Sequence, residues 1–92
     1  MGRQTRTFEI INKRGLHARA SSKFAVLAGE FAGANVCVAK DGEEVCGDSI
    51  MDLMMLGAGI GSSIEVSAEG ENASAALDAL EALLADKFGE GE

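Results

Sequence analysis

The chain has 92 residues, enough for one small domain that buries roughly 60 to 70% of its unfolded surface, and too few for a separate cofactor domain. Hydrophobic residues make up 47% and charged residues 25%, a globular balance, and no apolar run approaches the ~18 residues of a membrane span. The net charge of −7 and the absence of Trp and Tyr for base stacking argue against a nucleic-acid binder, but the total conceals a split: residues 1–23 hold six of eight basic groups and one acid, Glu9, while residues 24–92 hold fourteen acids and two bases.

Two cysteines cannot build the disulfide framework of a small secreted domain, and no charged-then-apolar leader opens the chain, so a cytoplasmic monomer is expected. From Gln4 to Ile11 the pattern alternates, with Arg6, Phe8 and Ile10 on one face and Thr7, Glu9 and Ile11 on the other, which predicts a half-buried strand that Asn12–Gly15 breaks. From His17 onward, Ala20, Phe24, Leu27 and Ala28 form the stripe of an amphipathic helix, with Gly29 as its stop. Val36 and Val38 then alternate with Asn35, Cys37 and Ala39 up to Asp41-Gly42, a two-residue hairpin turn. That turn pairs Lys40 with Glu43, Ala39 with Glu44, Val38 with Val45 and Cys37 with Cys46, valines to the core and cysteines to the other face.

Ser49 is expected to cap a short helix over 50–56, with Asp52 placed as in a capping box, and Gly57 to end it. After a loop to Ser63, the alternating Ile64, Val66 and Ala68 give a last strand, and Asn72 caps a helix striped with Ala76, Leu77, Leu80, Leu83 and Leu84. Gly89 ends it and 89–92 is read as a frayed tail. The order predicts an α+β domain: an open-faced sandwich of four antiparallel strands with three helices on one face. The other face, carrying Glu9, Asn35, Cys37, Glu44, Cys46, Glu65 and Ser67, is left open to water.

The single histidine, His17, sits at a helix start after Gly15-Leu16 and two residues before Arg19. Unpaired backbone N–H groups and the positive end of the helix dipole make this a place to hold a phosphoryl group. Dipole and arginine together favour a neutral, nucleophilic imidazole near pH 7, given an ordinary value of ~6.5, and would stabilise the dianion formed after attack.

At these residues the sequence resembles the HPr phosphocarriers of the bacterial phosphoenolpyruvate-dependent phosphotransferase system. Gly15-Leu16-His17-Ala18-Arg19 is similar to the family's active-site motif, and Ser49-Ile50-Met51, Leu53-Met54 and Leu56-Gly57 to its second, serine-containing motif. The resemblance implies one HPr-like domain over 1–92, with a core of about 4–88 and the family's open-faced fold. It implies a relay rather than a stand-alone enzyme: His17 is phosphorylated on Nδ1 by Enzyme I and passes the group to an EIIA domain, while Arg19 clamps phosphoryl oxygens. It implies no metal and no other cofactor. It also makes Ser49 a regulatory phosphorylation site for an HPr kinase/phosphorylase. Ala20 stands where sugar-transport members usually have proline and where members of the nitrogen-related NPr branch often carry alanine, so the branch stays open.

The segment from Ile50 to Leu56 is apolar nearly all round, more than a small domain can bury. Leu53 is expected inward with Ile50 leaning the same way, and Met51 and Met54 are expected to form a pliant patch beside His17. The candidate partner-binding residues are Ala20, Lys23, Phe24, Ile50, Met51 and Met54. Gly57-Ala58-Gly59-Ile60-Gly61 lacks the following lysine of a phosphate-binding loop and reads as a flexible connection. Two other readings compete with the relay. One is an acyl-carrier-like protein with phosphopantetheine on Ser49, suggested by Gly47-Asp48-Ser49-Ile50; the other is a non-catalytic regulatory module.

Overall fold

The four expected strands and the three expected helices all form, in the order β1 (Arg3–Glu9), α1 (Ala18–Gly29), β2 (Cys37–Lys40), β3 (Glu43–Cys46), α2 (Ile50–Met55), β4 (Ser63–Glu69) and α3 (Ala73–Ala85). This computed structural model describes residues 2–90. The strands make one antiparallel sheet in the order β1-β4-β2-β3. The hairpin register is the one the Asp41-Gly42 turn dictates, with Val38 opposite Val45 and Cys37 opposite Cys46. Asp41 (φ 53°) and Gly42 (φ 86°) are both left-handed, as a type I′ turn requires.

Period-2 alternation decides which face the helices cover. Phe8, Val38, Ile64, Val66 and Ala68 point to one side and are buried there against Phe24, Leu53, Leu77, Leu80 and Leu84 of the three helices. On the open side, Ser67 is nonetheless buried, its Oγ 3.1 Å from Thr5 Oγ1 of the neighbouring strand. Arg6, at the sheet margin, reaches Asp78 (2.7 Å) and Glu81 (3.0 Å) of α3. A four-stranded sheet excludes the acyl-carrier reading, which needs an all-helical bundle.

Several helix ends differ from expectation. Gly29 lies inside α1, and Glu30 closes the last turn in ordinary right-handed geometry, its N–H bonding to the Leu27 and Ala28 carbonyls; no left-handed glycine is needed. Asn72 stands at the cap of α3 but makes no side-chain capping bond. Helix α3 ends at Ala85, and the chain turns back through a 3₁₀ segment, Lys87–Gly89. Lys87, Phe88 and Gly89 are consecutively left-handed, at φ 53°, 55° and 75°. For the two non-glycine residues this conformation costs about 1–2 kcal/mol each. The fully buried Phe88 ring offsets much of that with about 1.5–3 kcal/mol of apolar burial.

Candidate active site at the start of helix α1

His17 is the N-cap of α1, in extended backbone geometry. Its Nδ1 accepts the Arg19 backbone N–H at 3.3 Å, so an imidazole fills the place usually taken by a serine or aspartate oxygen. The other ring nitrogen, Nε2, is hydrogen-bonded to a carboxylate oxygen of Glu90. A backbone N–H can only donate and an ionised carboxylate can only accept. The two partners together therefore fix the neutral tautomer with hydrogen on Nε2 and the lone pair on Nδ1, facing the first N–H groups of the helix.

Three features hold this arrangement. Gly15 is left-handed (φ 64°), and a Cβ on it would lie 2.3 Å from the Ala58 carbonyl oxygen. The Leu16 N–H then bonds to that same carbonyl at 2.9 Å, which clamps the approach to His17 against the loop after α2. Fully buried Asn12 donates through Nδ2 to Gly15 O (2.9 Å) and to Glu90 Oε1 (3.1 Å). Lys23 Nζ donates to the Phe88 carbonyl at 2.6 Å, tying down the strap that carries Glu90.

A cleft of about 250 Å³ opens over the ring, lined by Lys13, Arg14, His17, Arg19, Gly89 and Glu90. Burial alone would push the Glu90 carboxyl up; the hydrogen bonds from His17 and Asn12, with the charge of Arg14, outweigh it and hold the group below the ordinary carboxylate range. Chemically, the site presents an oriented nucleophilic nitrogen at a helix N-terminus and three flanking cations to an anionic electrophile.

The family model described as "PTS HPr component phosphorylation site" matches residues 4–86. The chain belongs to the HPr phosphocarrier family of the phosphotransferase system. It is 52% identical over 83 residues, 90% of this chain and 92% of the relative, to the phosphocarrier protein HPr of Cupriavidus necator. It is also 41% identical to the phosphocarrier protein NPr of Shewanella violacea, covering 98% of both chains. Among solved structures, an HPr of Thermoanaerobacter tengcongensis matches with a TM-score of 0.89 at 41% identity, over 95% of this chain and 97% of that one.

The second motif of this HPr-family chain also sits at a helix start. Ser49 caps α2, its Oγ accepting the Asp52 N–H at 3.3 Å. The reciprocal half of a capping box is replaced, because the Ser49 N–H bonds to the Cys46 carbonyl (3.3 Å). Helix α2 buries Leu53 and turns Met51 (67% exposed), Met54 and Met55 (73%) outward. Ile50 joins that exposed patch rather than leaning into the core. The loop ending α2, Gly57–Gly59, lines a depression with Arg14, Leu16 and His17.

Two expected partner-binding residues are corrected. Ala20 and Phe24 are each 0% exposed, because the stripe they form is the inward face of α1; no partner reaches them. Lys23 is exposed, but its ammonium is engaged by the strap. Sequence reasoning missed exposed Val26 and Met55, and it missed Asn12 and Glu90. The latter two carried no local signal except an asparagine at the strand break and an acid after Gly89. The expected frayed tail is wrong for Gly89 and Glu90, which close the cleft; residues 91 and 92 lie outside the described residues.

Proposed function

We propose that this chain is a cytoplasmic phosphocarrier in which His17 takes a phosphoryl group from phosphorylated Enzyme I and hands it to an EIIA domain. The observation that carries this reading is the paired hydrogen bonding of the ring: Glu90 holds the hydrogen on Nε2 and leaves Nδ1 as the nucleophile at a helix N-terminus. In the forward step the Nδ1 lone pair forms the bond to phosphorus, and the donor's bond breaks with its electron pair returning to the donor. The Arg19 N–H, released from Nδ1, is then placed to donate to a phosphoryl oxygen, with the Arg19, Arg14 and Lys13 cations beside it. Phosphorylated imidazole that keeps its Nε2–H is cationic, and Glu90 neutralises it. On transfer onward the electron pair returns to Nδ1, so the carrier ends as it began and both directions stay accessible.

Incubation with phosphoenolpyruvate and Enzyme I is expected to yield one acid-labile phosphate on His17 that an EIIA domain removes. Absence of that phosphate, or an His17→Ala variant that behaves as wild type in every pathway assay, would favour a purely regulatory module.

Ser49 is the proposed regulatory position. It is partly exposed, its hydroxyl is the cap of α2, and it stands beside the methionine patch where EIIA and Enzyme I are proposed to dock. Phosphate added by an HPr kinase/phosphorylase would place about −2 charge there, altering docking more than fold. Phosphorylation of Ser49 in vitro, followed by Enzyme I kinetics, tests this: slower His17 phosphorylation with an unchanged circular-dichroism spectrum is expected.

A further inference from the structure

The open face of the sheet carries a feature that phosphoryl transfer leaves unused. Cys37 of β2 and Cys46 of β3 are direct cross-strand partners. The Gly47 N–H donates to the Val36 carbonyl at 2.8 Å, so Val36 and Gly47 are a hydrogen-bonded pair. Because antiparallel pairs alternate, Cys37 and Cys46 fall on a non-hydrogen-bonded pair, the kind with the closer approach, Cα atoms about 4.5 Å apart. Disulfides need about 4.4–6.8 Å between Cα atoms. Both side chains point to the same face, opposite buried Val38. Both cysteines are free thiols.

We propose that Cys37 and Cys46 are a reversible oxidation site, closing an intrachain disulfide when the protein meets hydrogen peroxide. Cys46 is exposed and Cys37 is half-buried, so Cys46 is attacked first. Its thiolate sulfur bonds to one peroxide oxygen, the O–O bond breaks, and the departing hydroxide takes up the thiol proton as water. Cys37 sulfur then attacks the Cys46 sulfenic acid; the S–S bond forms, the S–O bond breaks, and the hydroxyl leaves as water with the Cys37 proton. Two thiols are oxidised, one peroxide is reduced, and two waters form. Burial and the Glu44 carboxylate push the Cys37 thiol up, opposed by Arg3, which suits Cys37 to the second, resolving role rather than to first attack.

The bond would staple the edge strand β3 to β2, directly before the Gly47–Ser49 turn whose Ser49 N–H is held by the Cys46 carbonyl. Neither cysteine lines the His17 cleft. Oxidation is therefore expected to leave phosphoryl acceptance by His17 intact, and the two readings stand or fall separately.

The test treats the reduced full-length protein with hydrogen peroxide and follows intact mass without reductant, maleimide labelling and peptide mapping. Expected are a monomer lighter by two hydrogens, no maleimide uptake, a linked 37–46 peptide, reversal by dithiothreitol, and a Tm raised by on the order of ten degrees. Cys37→Ser should fold and stop at the sulfenic acid of Cys46, while Cys46→Ser should consume peroxide far more slowly. Sulfinic acid, two thiols still reactive, or a disulfide between molecules as the main product would overturn the proposal.

Discussion

Two helices in this molecule start in the same way and are surrounded differently. At α1 an imidazole nitrogen accepts a backbone N–H at 3.3 Å; at α2 a hydroxyl oxygen does so at 3.3 Å. Around His17 stand Lys13, Arg14 and Arg19, with one carboxylate fastened to the far ring nitrogen. Around Ser49 stand Asp48 and Asp52, and the helix behind it is only six residues long. The capping geometry is common to both, so it is the surroundings that differentiate them. Cations and an anchored carboxylate suit the first to receive and release an anion. Two acids and a short helix disfavour negative charge at the second, so under the proposed regulation a phosphate on Ser49 would need an agent that overcomes repulsion and would act outward on docking.

The sharpest way to break the comparison is to remove one cap's nucleophile. His17→Ala is expected to abolish phosphoryl acceptance while costing only about 1 kcal/mol of stability, the value of a cap, as read by Enzyme I assay and thermal melting. Gly15→Ala tests the scaffold below that cap. A side chain facing the Ala58 carbonyl at 2.3 Å in left-handed geometry should cost roughly 2–3 kcal/mol, measured by urea unfolding.

Glu90→Gln asks whether the anchored carboxylate matters beyond its shape. Phosphoryl transfer is expected to slow about tenfold, equivalent to about 1.4 kcal/mol, and nitrogen NMR of His17 should show mixed tautomers. Because the Glu90 carboxyl is held low in the folded chain, its stabilising share is complete above the ordinary value of ~4.3. It is lost as pH falls through the lowered one; melting of wild type against Glu90→Gln over acid pH should converge there. Smaller still, Ser49→Ala should cost about 1 kcal/mol with His17 chemistry unchanged. Smallest in stability is Met55→Ala, within about 0.5 kcal/mol, with any effect confined to the Michaelis constant for partners.

Much of this was legible in the sequence because it rests on short-range rules. Alternation placed the strands, Asp41-Gly42 set the register through to Cys37 and Cys46, and the leucine stripe placed α3. The placement of His17 and Ser49 at helix starts followed from their neighbours. What escaped is long-range. Glu90 meets a ring 73 positions earlier, held by left-handed residues at Lys87 and Phe88 that nothing in their side chains announces. Ala20 and Phe24 were expected on the partner surface, although their own periodicity already put them inside. Ile50 was misjudged because six residues are too few turns to define an inward face.

The strap also has a temporal consequence. The site draws on residues 12–19, on Ala58 and Gly59, and on residues 88–90, so its parts leave the ribosome far apart in time. A nascent chain can lay down β1 and α1 early, yet it lacks the Phe88 plug and the carboxylate that sets the tautomer until residues 88–90 have been made. Chains cut short anywhere before residue 88 carry the histidine without its setting, so the docking of residues 88–90 doubles as the step that arms it.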